Sequence, residues 1–219
     1  MSGADPPLPG PEASVSPNNP CPFLRALVAG DYLSDHVAPL SDIAETVVAA
    51  SDGAPADPPL PRAAVYLIAM IANGLGPLRL ARNIREGAQL DALRGGPLDK
   101  RGAGSRILDQ SGQIDEAELA RLGQFAADKT DATGRAERGL GADELLAMMD
   151  ANFARAAGRR RPIDRTLMNG EWPVLLRVIG RPSREGRYLS LAELRLLFVS
   201  RRLPSRISQR LEPRRFHRI

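Results

Sequence analysis

Apolar residues return at three- and four-residue spacing in seven stretches, at 23–29, 40–50, 62–72, 77–86, 115–127, 142–156 and 191–200. That period puts them on one face of a helix, whereas a half-buried strand would alternate. Ser41 and Ser190 stand at the start of two stretches as candidate N-caps. Between the stretches lie breaks rich in glycine and proline, such as 53–61 and 95–97. No two alternating patterns are separated by a hairpin turn, so the chain is expected to be all-α, with at most a short β-ribbon around 174–179 and Tyr188. No period repeats along the chain, which argues against a solenoid.

A chain of 219 residues can bury one substantial core. Residues 1–19, rich in Pro, Ser, Gly and Asn, are expected to be disordered; a single multi-helix domain is expected over 20–206, and a basic tail over 207–219. With five Phe, three Tyr and one Trp, that core must be filled by Leu, Ala, Val and Ile. The net charge of +4 looks like a nucleic-acid signal until it is located. Residues 201–219 hold seven arginines and one glutamate, which leaves the body mildly acidic. No series of stacking aromatics accompanies that basic end, which argues against nucleic acid as a partner. The start has no basic, apolar leader and no segment approaches the ~20 apolar residues of a membrane span, so a soluble cytoplasmic protein is expected.

The residue inventory limits the chemistry. His36 and His217 are the only histidines, which argues against a histidine-rich zinc site, a Ser-His-Asp triad or a di-iron bundle. There is no phosphate-binding Gly-rich loop of the usual kinds. An enzyme with so few nucleophiles would rely on a bound cofactor. Cys21, the single cysteine, excludes an intrachain disulfide and lies in Asn18-Asn19-Pro20-Cys21-Pro22-Phe23-Leu24-Arg25, where Pro22 fits the first helical position and Cys21 the N-cap. There the unpaired amides and the helix dipole favour a thiolate, a candidate metal ligand; the alternative is a small buried hydrophobe.

The run from Pro20 to Leu33 resembles the opening motif of the heme-thiolate peroxidases, the chloroperoxidase and unspecific peroxygenase family, although Arg25 stands where that family has Asn and Gly30-Asp31 replaces its His-Gly. Asn73-Gly74-Leu75, Asn169-Gly170-Glu171-Trp172-Pro173, Glu185-Gly186-Arg187-Tyr188-Leu189-Ser190 and Phe198-Val199-Ser200-Arg201-Arg202-Leu203-Pro204 resemble later family segments in the same order, so the likeness covers roughly residues 18–206. It implies heme b with Cys21 as the axial ligand to iron, and Phe23, Leu24 and Leu27 packed on the proximal face. It further implies Glu171 as the distal acid–base group, with Arg165 orienting it, and a peroxide that oxidises or oxygenates a small organic substrate. The family's arginine lies one residue further back than Arg165.

The family also carries a divalent cation beside the heme propionates. The corresponding stretch keeps Asp109 and Ser111 but has Ile107 where a carboxylate belongs, which weakens a hard-cation site and leaves Arg101 or Arg106 to pair the propionates. The same stretch can be counted as an EF-hand loop, with Asp109, Ser111, Gly112, Ile114, Asp115 and Glu118 at positions 3, 5, 6, 8, 9 and 12 and Ile107 at position 1. A turn followed by a helix cap explains it equally. Two classes thus stand side by side: a heme-thiolate oxidoreductase, and a non-enzymatic helical module in which Cys21 and Glu171 are unrelated in space.

Overall fold

Seven helices form where the three- and four-residue apolar spacing places them. The computed structural model describes residues 15–51, 60–99 and 103–213; the disorder expected for 1–14 and the end of the basic tail lie outside them. The seven are α1 (Pro22–Ala29), α2 (Leu40–Ala50), α3 (Arg62–Ile71), α4 (Pro77–Glu86), α5 (Glu116–Phe125), α6 (Ala142–Arg155) and α9 (Leu191–Val199). Pro22 and Pro77 sit in the first turns of α1 and α4, where a missing N–H costs nothing. Ser190 caps α9 by accepting the Glu193 amide at 3.4 Å. Ser41 does not cap α2: Pro39 occupies that position and the serine hydroxyl donates to Asp42 instead.

The all-α expectation is corrected by two antiparallel sheets. One is the pair β1 (Val37–Ala38) and β2 (Ala88–Gln89). The other joins β3 (Ala127–Thr130), β4 (Ala136–Leu140), β5 (Arg181–Ser183) and β6 (Gly186–Ser190) in the order β3-β4-β6-β5. Tyr188 lies in β6, but 174–179 belongs to a helix, α8 (Trp172–Ile179), rather than to a ribbon. Two further short α-helices, α7 (Asp164–Asn169) and α10 (Ser205–Ser208), and a 3-10 turn at Leu90–Ala92 complete the helices of the described residues. The strands escape an apolar-pattern search because β3 reads Ala-Asp-Lys-Thr and β4 Ala-Glu-Arg-Gly-Leu, with a single buried pair, Gly139 and Leu140, at the inner end.

One apolar core runs from Val15 to Leu211 and is filled by aliphatic residues, with Leu27, Ile107, Leu140, Met148 and Leu197 fully enclosed. At 15–19 Val15 is buried and the Asn19 side chain is wholly enclosed. The sheet lies against α9 and α8 through β6 and against α5 and α6 through β4. Among the described residues, no helix is long and apolar enough to cross a membrane.

Candidate functional site

Cys21 takes the position its neighbours dictate. It is the N-cap of α1, with extended backbone (φ −86°, ψ 112°), and its amide donates to Asn19 Oδ1 at 3.1 Å. The thiol is partly buried against the core. On the same helix Phe23 and Leu27 are turned into the protein core, at 7% and 0% exposure, and Leu24 packs on its margin. Arg25, one turn beyond Cys21, is 3% exposed; its Nη1 donates to the Ser16 and Asn19 carbonyls at 3.0 and 3.3 Å, and its Nη2 to the Gly112 carbonyl at 3.4 Å. Burial, and then the charges of Arg201 and Arg94, hold its pKa below the ordinary arginine value. Arg94 draws the same segments together, donating to the Pro17 carbonyl at 2.8 Å and to the Asp109 carbonyl. The arginine that replaces the family's Asn therefore laces residues 16–19 and 109–113 over the first turn of α1.

Asp109 and Ser111 are brought together, 2.7 Å apart, as a turn. Asp109 Oδ1 accepts from the Ser111 hydroxyl and from the amides of Ser111 and Gln113 at 2.8 Å each, and these bonds, the hydroxyl first, hold its carboxyl below the usual range. Ile107, at the first position of the EF-hand count, is fully buried in the core. Glu118, at the twelfth, forms a two-pronged pair with Arg155 at 2.5 and 2.6 Å. Both ends of that loop are thus committed to packing. Asp131 builds the same turn one step along, accepting from the Thr133 hydroxyl and amide and from the Arg135 amide. No group of three or more His, Cys, Asp and Glu side chains among the described residues is placed to hold a metal ion.

Glu171 is the N-cap residue of α8 and half-buried. The Arg165 guanidinium is held by Asp150 Oδ1 at 2.7 and 3.0 Å and also donates to Asn169 Oδ1. The helix bearing Cys21 packs on α9, whereas α8 packs on α2, α6, α7 and β6. Among the clefts that the described residues form, two adjoin α2. One, of about 190 Å³, lies between the start of α2, Tyr66 on α3 and Ile84 to Gly87; the other, of about 310 Å³, lies between Tyr32, α2 and residues 210–213. Neither is bordered by Cys21, Glu171 or Arg165. Phe23 and Leu27 are thus spent on the core, and the Arg25 bonds hold the backbone of Ser16, Asn19 and Gly112 close to α1.

The densest polar cluster was not visible in the sequence. Arg181 on β5 meets Glu193 Oε1 at 2.8 Å, Asp131 Oδ2 at 3.2 Å and Glu137 Oε1 at 3.4 Å. Arg206 reaches Glu193 Oε2 at 2.8 Å, and Tyr188 Oη and Ser190 Oγ donate to the two Glu137 oxygens at 2.8 and 2.7 Å. Burial and the Glu137 carboxylate push the Tyr188 hydroxyl well above the usual tyrosine range. The turn signal Asp131-Ala132-Thr133-Gly134 would have located its hairpin. A second feature is the outward face of α3 and α4, signalled by the uncharged run 63–78 before Arg79.

The fold and its polar clusters define a mixed α/β domain whose charged side chains mostly brace its own elements. No family model, curated protein or solved structure matches the chain.

Proposed function

We propose that this chain is a non-enzymatic binding module of mixed α/β fold, in which the residues resembling a heme-thiolate site serve packing. The observation that carries the reading is the engagement of those residues. Arg165 is paired to Asp150, Phe23 and Leu27 are sealed in the core, and Arg25 ties two backbone segments across the first turn of α1. The divalent-cation and EF-hand readings lose support in the same way, through Ile107 and Glu118.

Hemin titration of the purified full chain tests this. The expected result is no saturable Soret band, with the Cys21→Ala variant indistinguishable from wild type. A stoichiometric band that takes the red-shifted position of a thiolate-bound carbonyl when reduced under CO, and that vanishes in Cys21→Ala, overturns the proposal. Calorimetry with CaCl₂ is expected to give no heat of binding.

A further inference from the structure

The helix pair α3–α4 is built inside out. In a surface helix the apolar stripe faces the core, and a helix apolar all round is normally buried. Yet α3 buries only Val65 and Ala69, and leaves Tyr66, Leu67 and Ile68 at 37, 54 and 43% exposure. On α4 the residue turned inward is polar: Asn83, 1% exposed, donates to the Met70 carbonyl at 2.8 Å. Leu78, Ala81, Ile84 and Arg85, three and four positions apart, share the outward face, with Leu78 at 86% and Ile84 at 57% exposure. Leu75, in the turn that joins the helices, is 64% exposed. Six of the nine exposed large apolar residues among the described residues thus fall on this helix pair and its turn, the kind of clustering that marks an interaction surface.

The chain's remaining segments lack the side chains to cover it. Residues 1–14, 52–59, 100–102 and 214–219 contain only Met1, Leu8, Phe216 and Ile219 as large apolar residues. Charge narrows the occupant. Residues 63–78 carry no charge, and four arginines flank them, Arg62, Arg79, Arg82 and Arg85, against two acids: Glu45 pairs with Arg62 at 2.7 Å, and Glu86 is shared by Arg82 and Arg85 at 2.9 Å each. Arg85 is 82% exposed and Arg82 55%, both beside the apolar stripe of α4. A second copy would set this basic face against itself. A groove for a partner helix is also the wrong shape, since Leu75 and Leu78, the two most exposed side chains, protrude at the turn.

We infer that the α3–α4 pair is a docking surface for an anionic lipid bilayer. Leu67, Ile68, Leu75 and Leu78 enter the acyl boundary, and Arg82 and Arg85 hold lipid phosphates through guanidinium forks. Apolar side chains that need no shaped receptor, ringed by cations whose stems lie along the same face, suit a fluid anionic interface. This role rests on reading the chain as a binding module, but the vesicle and hemin measurements fail independently.

Co-sedimentation of the full chain with vesicles of phosphatidylcholine alone, and with phosphatidylglycerol added, tests it. Partition is expected to be at least tenfold stronger on the anionic vesicles and to fall at least tenfold in Leu75→Gln/Leu78→Gln, which changes no charge. The variant leaves the arginines of 201–219 intact, so a loss of binding belongs to the helix pair and not to that end. Arg82→Gln/Arg85→Gln is expected to weaken binding and flatten its salt dependence. Circular dichroism should match wild type for both, since these side chains are exposed. Overturning results are no binding to anionic vesicles, or equal binding by the Leu75/Leu78 variant. A dimer that this variant dissolves would assign the face to a second copy, and binding of an acidic amphipathic peptide in place of vesicles would assign it to a protein.

Discussion

Removing the guanidinium of Arg181 should unfasten the four-stranded sheet. The arginine meets Glu193 through Nε and Nη2 at 2.8 Å each, with Asp131 at 3.2 Å and Glu137 at 3.4 Å. Burial works against its charge, but Glu193 and then Glu137 outweigh it and hold its pKa above the ordinary arginine value. Arg181→Ala leaves three carboxylates facing one another with Arg206 as their remaining cation. Breaking a buried pair from one side costs about 3–5 kcal/mol; with 23% of the Arg181 side chain in water we expect about 2–3 kcal/mol. For a chain of this size that is roughly 5–10 °C in Tm. Thermal and urea unfolding measure it, and the Arg181→Ala/Glu193→Gln pair should recover about 1 kcal/mol, since the facing charge is then gone. Acid gives a second readout. Asp131 is held below the usual carboxylate range, by the Thr133 hydroxyl first and Arg181 among the rest, so its contribution is complete above about pH 4 and lost as pH falls through its lower folded value. The gap between wild type and variant should therefore narrow in acid. A loss below about 0.5 kcal/mol, or a gap that widens in acid, would refute the reasoning.

Ser190→Ala removes both the cap of α9 and a bond to Glu137, and should cost about 1–2 kcal/mol in urea unfolding. Gly87 has φ +111°, and a Cβ there would lie 2.4 Å from the Ala38 carbonyl, so Gly87→Ala should cost about 3 kcal/mol or more and loosen the β1–β2 pair in amide exchange. The Asp91 hydrogen bond at 2.9 Å raises His36 above its usual 6.5; NMR titration should show this, and Asp91→Asn should abolish it. The sign is opposite to that of Asp131: the His36 contribution is present below 6.5 and lost as pH rises through the folded value.

What the sequence disclosed followed the range of the forces involved. The span of α4, Pro77–Glu86, and that of α2, Leu40–Ala50, are legible end to end, because start and stop chemistry is local: Gly76 and Pro77 open α4 and Gly87 closes it. The Cys21 N-cap is local in the same sense. The sheet is not, since polar β3 and β4 are held by pairing and by contacts such as Lys129 with Glu144 at 2.8 Å, which a period cannot reveal. In α8, β-branched Val174, Val178 and Ile179 imitate a strand, yet Trp172, Leu175, Val178 and Ile179 recur at helical spacing and are the residues it buries. The Arg165–Asp150 pair joins two different helices, α7 and α6, and is beyond the reach of any local pattern.

The segments that resemble the peroxidases share a property: they are the punctuation of helices and turns. Pro22 starts α1, and Phe23 and Leu27 anchor it. Gly170 closes α7, while Trp172 and Pro173 open α8 with the indole 3% exposed. Gly186 supplies the φ of +110° that the β5–β6 turn requires. Phe198 is a core residue, Ser200 ends α9, Arg201 turns the chain in the left-handed region at φ 51°, and Leu203 and Pro204 return it to the core before α10. Each residue type follows from backbone stereochemistry or burial, and the spacings follow from helix lengths. Such a pattern preserves a scaffold whether or not a cofactor occupies it, whereas chemistry depends on side chains that punctuation leaves free to vary. At those positions this chain departs from the family: Arg25 in place of Asn and Ile107 in place of a carboxylate, the one bonded to three backbone carbonyls and the other sealed in the core.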